Sequence, residues 1–406
     1  MKTTYLLLCL LGIGSVSGAG QTKQPQKIGD FIESTSYNEH RRNATRSLQY
    51  TPDGDDFVCI NGKNRFTRAL YGSHTAFRLE TSDRPVFAAY TKENPKHICF
   101  KLQTSGGTVA LDSTEHCESR YTAGRRSYSL SDPAFGGGSL SITTWALPDK
   151  EGAIWQFNAR NFKEFHPVLL ASISEIRNSK LNRNGDMGAD PADSFEAPLQ
   201  PQQLQSFPVQ IDGTLYILLE NQELRTLTTA EGENLFKKAE AARSETASRI
   251  RIETPDPYFN TLGGTLAMAA DGIWDGEVWL HGAIGWRMPL SGWRAAYTGD
   301  VLGWHDRART HFNAYAASQV TEVPNTLPHP AQDSALHLAR SVKKWGTPQY
   351  SNGYICRNPH RNNQMHHYDM NLCYIDELLW HFKWTGDLDY VRQMWPVITR
   401  HLAWES

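Results

Sequence analysis

One change of periodicity divides this chain. Before residue 231 its apolar residues come in short runs separated by turn residues; after it they recur at helical spacing. Phe57-Val58-Cys59-Ile60 runs into Asn61-Gly62, a strong turn dipeptide. Strand character then returns at Thr75–Leu79, Val86–Tyr90, His97–Leu102, Thr108–Leu111, Tyr121–Leu130, Leu140–Trp145 and Ala153–Asn158. It recurs at Leu169–Ile176 and Leu215–Leu219, and turns such as Ser105-Gly106-Gly107 and Gly136-Gly137-Gly138 separate the runs. Many short strands at such spacing predict an antiparallel β-sandwich or barrel.

From Glu231 to Ile250, Leu235, Phe236, Ala239, Ala242 and Ala247 alternate with charges, which predicts an amphipathic linker helix. Thr254-Pro255-Asp256-Pro257 ends it, and Asp256 can cap a helix from Pro257 to about Ala270. Further helices are expected over Ala295–Ser318, weakened at its start by Gly299 and Gly303, over Ser334–Lys344 and over Met370–Trp384. Gly386 stands where a C′ glycine belongs, and Asp387 opens a last helix in which Pro396 marks a kink or a boundary. That helix runs to Ser406 without a polar tail, which predicts a helical domain only partly present.

The expected fold class is therefore β then α. Residues 1–20 read as a signal peptide, with Lys2, an apolar run over Tyr5–Ile13 and small residues around Ser17–Ala19. Residues 21–50 read as a polar leader, 51–230 as the β-sandwich, 231–253 as the linker helix and 254–406 as the helical domain. No later stretch has transmembrane length, so export to the periplasm or medium is expected, with no membrane span. A net charge of −2 and the lack of a basic block exclude a nucleic-acid footprint.

Without Cys9 of the signal segment, five cysteines remain; Cys99 with Cys117, or Cys356 with Cys373, could pair, or all could be free thiols. Residues 178–207 are rich in Gly, Pro, Asp and Gln. The spacing of Asn182, Asn184, Asp186, Asp190 and Asp193 is not that of an EF-hand, so a surface loop is expected. No metal and no cofactor is predicted. Ten of the twelve Trp lie after residue 270, a distribution that suits either a helical core or a site gripping the apolar faces of sugar rings.

Three stretches carry a resemblance. The first is Ala269-Ala270-Asp271-Gly272-Ile273-Trp274 with Trp279-Leu280-His281-Gly282-Ala283-Ile284-Gly285-Trp286. The second is Gly292-Trp293-Arg294-Ala295-Ala296-Tyr297-Thr298-Gly299-Asp300 with Gly303-Trp304-His305-Asp306-Arg307. The third is Asp369-Met370-Asn371-Leu372 through Glu377-Leu378-Leu379-Trp380, then Thr385-Gly386-Asp387 and Trp395-Pro396. Over residues 231–406 the chain resembles the six-hairpin (α/α) glycosidases, which include glucoamylase-like and rhamnosidase-like enzymes. Within them it is most similar to secreted polysaccharide-degrading enzymes of gut Bacteroidetes, with glycoside hydrolase family 142, β-L-arabinofuranosidases acting on pectin, as the finer match.

The resemblance implies a partial (α/α)6 toroid behind the sandwich and an oligosaccharide or polysaccharide as substrate. Glycoside hydrolysis needs two carboxyl groups flanking the anomeric carbon. The candidates are Glu277, set between Trp274 and Trp279 where apolar rings would raise its pKa, Asp300, Asp306 and Asp369, the last also a natural N-cap. Asp271, Asp275, Asp376 and Glu377 are further acids near these loops, the last two expected to be structural. Trp286, Trp293, Arg294, Trp304, His305, His366, His367 and Tyr368 are the candidate substrate contacts, whereas Trp380, Trp384, Trp395 and Trp404 are expected in the core. A carbohydrate phosphorylase, a lyase using Tyr368 or His366 and His367, and a non-catalytic glycan-binding protein are the competing readings.

Overall fold

The protein is seen in a computed structural model that describes residues 50–63, 68–72, 77–90, 95–148, 150–162, 166–176, 195, 204–282, 287–292, 296–321, 332–333, 338–339, 353–361 and 369–405. Residues 1–49, over which a signal peptide and a polar leader are expected, lie outside them. So do Asn182, Asn184, Asp186, Asp190 and Asp193 of the polar loop, and Trp286, Trp293, Arg294, His366, His367 and Tyr368 of the candidate site.

The first half is antiparallel β, as its alternating pattern requires. One sheet holds Thr51–Asp53 (β1), Asp56–Ile60 (β2), His116–Thr122 (β8), Arg125–Ser131 (β9), Ser139–Ala146 (β10), Gly152–Arg160 (β11), Thr214–Glu220 (β14) and Glu223–Leu227 (β15), in that spatial order. The other runs Gln205–Pro208 (β13), Val168–Glu175 (β12), Lys96–Thr104 (β6), Val86–Tyr90 (β5), Arg78–Thr81 (β4) and Arg68–Tyr71 (β3), with Gly107–Ala110 (β7) also paired to β6. Their inner faces share one core. Phe87 meets Trp155 edge-on at 5.4 Å and Phe100 meets Phe157 at 5.0 Å.

The run Tyr121–Leu130 is not one strand but parts of two, β8 and β9. The chain turns at Ala123-Gly124 so that Tyr121 pairs with Arg126. Arg126 consequently points inward and is fully buried. Its guanidinium donates to Ser82 O and to the Tyr50 hydroxyl and lies over the Tyr50 and Tyr128 rings. All five described cysteines are free thiols, and neither Cys99–Cys117 nor Cys356–Cys373 is bridged.

Thr229–Ala247 (α1) begins at a capping box: Thr228 accepts from the Glu231 N–H while the Glu231 carboxylate accepts from the Thr228 N–H. The helix is docked on the outer face of the first sheet. Phe236 and Leu235 cover Trp145, Ile154 and Leu218, and the Trp145 indole donates to Glu240 at 2.9 Å.

Among the described residues after α1, the regular elements are helices joined by loops, apart from two short strands. The segment expected as one helix from Pro257 is two, Pro257–Asn260 (α2), capped by Asp256, and Gly263–Gly272 (α3). The one expected over Ala295–Ser318 is also two, Ala296–Val301 (α4) and His305–Ala316 (α5). They part at Gly303, whose φ of +73° a β-carbon would strain. Leu338–Ala339, inside the helix expected over Ser334–Lys344, is instead extended and paired with Gln332–Asp333; the rest of that stretch lies outside the described residues. Asp369–Thr385 (α6) ends before Gly386, whose φ is +63°. In Leu388–Glu405 (α7), the Asp387 carboxylate caps the N–H groups of Asp389 and Tyr390, and Pro396 lies within the helix. No described helix is long and apolar enough to cross a membrane.

Candidate functional site

The loop after α3 is built by a carboxylate and a histidine. Asp275 accepts the N–H groups of Glu277 (3.0 Å) and Val278 (2.8 Å), forming a turn that brings Trp274 and Trp279 to 4.7 Å, ring to ring. Both rings are buried in the helical core, not presented as walls. The Trp279 N–H donates to Nδ1 of His311 on α5, and His311 Nε2 lies 3.4 Å from Ser291 O. Desolvation lowers the His311 pKa to about 3, against the opposing bond to Ser291, so the ring stays neutral and can accept from Trp279.

With the indoles turned inward, Glu277 stands at the outer tip of this loop. Its carboxylate is not enclosed by apolar rings. It is half exposed and 2.6 Å from Nε2 of His360, whose own N–H donates to Ala314 O at the end of α5. Arg357, in the same segment, donates to Pro289 O. The Ile355 N–H donates to Asn371 Oδ1 at 2.6 Å, tying the segment to the first turn of α6. Asp369 is the first described residue of that turn, and it is exposed. Glu277, His360 and Asp369 thus share the end of the helical layer where α5 stops and α6 starts.

Asp300 lies at the opposite end. α5 and α6 run antiparallel: the Tyr374 hydroxyl reaches Phe312 O, while His381, two turns further along α6, reaches Asp300 of α4, which also holds His305 at the start of α5. From His305 to Ala314 the rise along α5 is about 13 Å. Asp300 is buried, with Nδ1 of His305 at 2.7 Å and Nδ1 of His381 at 2.9 Å. His381 is wholly buried, and its Nε2 has no partner among the described residues. Asp306 is exposed on the first turn of α5, and its carboxylate makes no ion pair among the described residues; Arg307 pairs with the buried Asp271 at 2.7 Å instead.

The four expected carboxylates therefore do not converge on one pocket. Glu277 and Asp369 occupy one end, Asp300 and Asp306 the other. Trp304 is no open sugar platform: its buried ring is flanked by the guanidinium of Arg307 at 4.3 Å and that of Arg249 at 5.1 Å. His305 is half exposed and joined to Asp300. Trp380, Trp384 and Trp395, expected in the core, are about half exposed along the outer faces of α6 and α7, whereas Trp404 packs against Tyr354.

Sequence reasoning missed His360, His311 and His381. His311 had a signal, because it falls on the buried stripe of α5 with Ala308, Phe312 and Tyr315. His360 had none, being a single histidine between helices. Among the described residues no group of three or more His, Cys, Asp or Glu could hold a metal ion.

Residues 95–249 match the model of a domain of unknown function, DUF4450. The match spans β6 to β15 together with α1, which is the larger part of both sheets plus the helix docked on them. No curated protein matches the chain.

Proposed function

We propose that this chain belongs to an exported glycoside hydrolase that cleaves plant cell-wall or pectic oligosaccharides, with Glu277 as the general acid. One observation carries the assignment. Among the described residues, Glu277 is the one of the four candidate carboxylates both open to solvent and held by a charge-capable partner, His360. Its loop is fixed to α5 at both Trp279 and Ser291. An acid that protonates a leaving oxygen must reach the substrate and keep its position. Asp300 fails the first requirement, because it is buried and its oxygens are engaged by two imidazoles.

Asp369, exposed at the same end, is the proposed partner that activates water. The helical hairpins belong to an (α/α) toroid in this reading. Trp286, Trp293, Arg294 and His366, His367 and Tyr368 supply its sugar contacts, and a β-L-arabinofuranoside is the finer choice of substrate. Two antiparallel sheets followed by paired helices support it, as does the density of acids, histidines and tryptophans after residue 270.

The test is product analysis on pectic oligosaccharides with the wild-type chain and Glu277→Gln. Release of reducing sugar without phosphate, lost in the variant, is the expected outcome. Phosphate-dependent release would indicate a phosphorylase and an unsaturated product a lyase. Binding without turnover would indicate a glycan-binding protein.

A further inference from the structure

The outer face of the first sheet changes character along its strands. Where α1 covers it, the outward residues are Trp145, Ile154 and Leu218. Beyond the helix they become small and polar. Ser141 of β10 stands opposite Ser129 of β9 on one side and Asn158 of β11 on the other. Ser139 stands opposite Arg160, and Ser131 opposite His116 of β8. Serine is not a favoured strand residue, and its short side chain leaves the floor low beneath the longer His116 and Arg160. The result is a groove of about 470 Å³.

No carboxylate lines it among the described residues, and the nearest, Glu118 of β8 opposite Ser129, is engaged by Arg120. Arg160 and His116 are exposed, and neither makes an ion pair among the described residues. Asn158 accepts from the Thr214 hydroxyl at its Oδ1 (2.7 Å), and its amide N–H groups have no partner among the described residues. A guanidinium fork, an imidazole and an amide above a floor of hydroxyls complement a ligand that carries carboxylates among many hydroxyls.

We infer that this groove is a second, non-catalytic binding site for a uronic-acid oligosaccharide. Arg160 takes a sugar carboxylate, and Asn158 with the serines takes ring hydroxyls. The site lies on the sandwich, inside the segment matched by DUF4450, and does not depend on the role proposed for Glu277.

The experiment is titration calorimetry of the full chain with an oligogalacturonate, alongside a neutral arabino-oligosaccharide as control. Wild type and Glu277→Gln should bind the acidic probe alike, more weakly as salt rises. Arg160→Ser, an exposed change that leaves the core untouched, should weaken binding about tenfold. Ser141→Trp, which fills the groove, should abolish it. Absence of binding by the intact chain would overturn the proposal. So would Arg160→Ser binding as tightly as wild type, or loss of binding in Glu277→Gln, which would put the glycan at the helical end.

Discussion

The main-chain N–H of Trp279 donates to Nδ1 of His311, 3.2 Å away and 32 residues later in the chain. That bond pins the loop carrying Glu277 to α5, and it requires a neutral imidazole. His311 has an ordinary pKa of 6.5 and a folded value of about 3, because burial penalises its charged form. Between those values the unfolded chain binds a proton that the folded chain refuses, so stability rises with pH through this window. The contribution is fully present above about 6.5 and is lost progressively as pH falls toward 3. Denaturant titrations at stepped pH should show this slope, and His311→Gln should flatten it. An unchanged slope in the variant would assign the acid sensitivity elsewhere.

Glu277→Gln keeps the shape of the side chain and removes its proton chemistry. Glycosidase turnover should fall by about 100-fold to 10,000-fold, the usual contribution of a positioned general acid. The melting temperature should stay near that of wild type, since the side chain is half exposed.

Asp300→Ala should behave in the opposite way. It leaves the Nδ1–H of the buried His381 without an acceptor, which costs about 1–3 kcal/mol. Per folded molecule, kcat should be unaffected, because Asp300 sits at the far end of α5 from Glu277. A collapse in kcat at unchanged stability would return Asp300 to the catalytic centre.

Gly292→Ala tests how tightly the Glu277 end is built. A β-carbon there would meet the backbone of α6 at Tyr374 N and, at 2.6 Å, Met370 O. Backbone cannot swing aside as a long side chain can, so a loss of about 1–3 kcal/mol is expected in thermal or denaturant melts.

Two tryptophans should separate cleanly. Trp155→Ala removes a fully buried ring between the sheets and should cost about 3–5 kcal/mol. Trp384→Gln, at a position about half exposed, should change stability by less than about 0.5 kcal/mol.

Local features were legible in the residues. The Asp256 and Asp387 caps, the C′ position of Gly386 and the strands at Val86–Tyr90 and Ala153–Asn158 all stand where their patterns placed them. Pattern and structure part where breaks are short. Ala123-Gly124 reverses the chain inside what looks like one apolar run, and Gly303 divides what looks like one helix. Trp380, Trp384 and Trp395 lie outside the core expected for them, because hydrophobicity alone does not say whether a helix face has a neighbour.

The residues by themselves determined that strands come first and helices second, because periodicity, turns and caps act over a few neighbouring residues. Which acid is open and which is enclosed was decided only by tertiary structure. Glu277 meets its imidazole 83 positions later in the chain, and Asp300 meets one of its two 81 positions later. Burial and pairing depend on contacts between distant segments, and those exist only once the helices have packed.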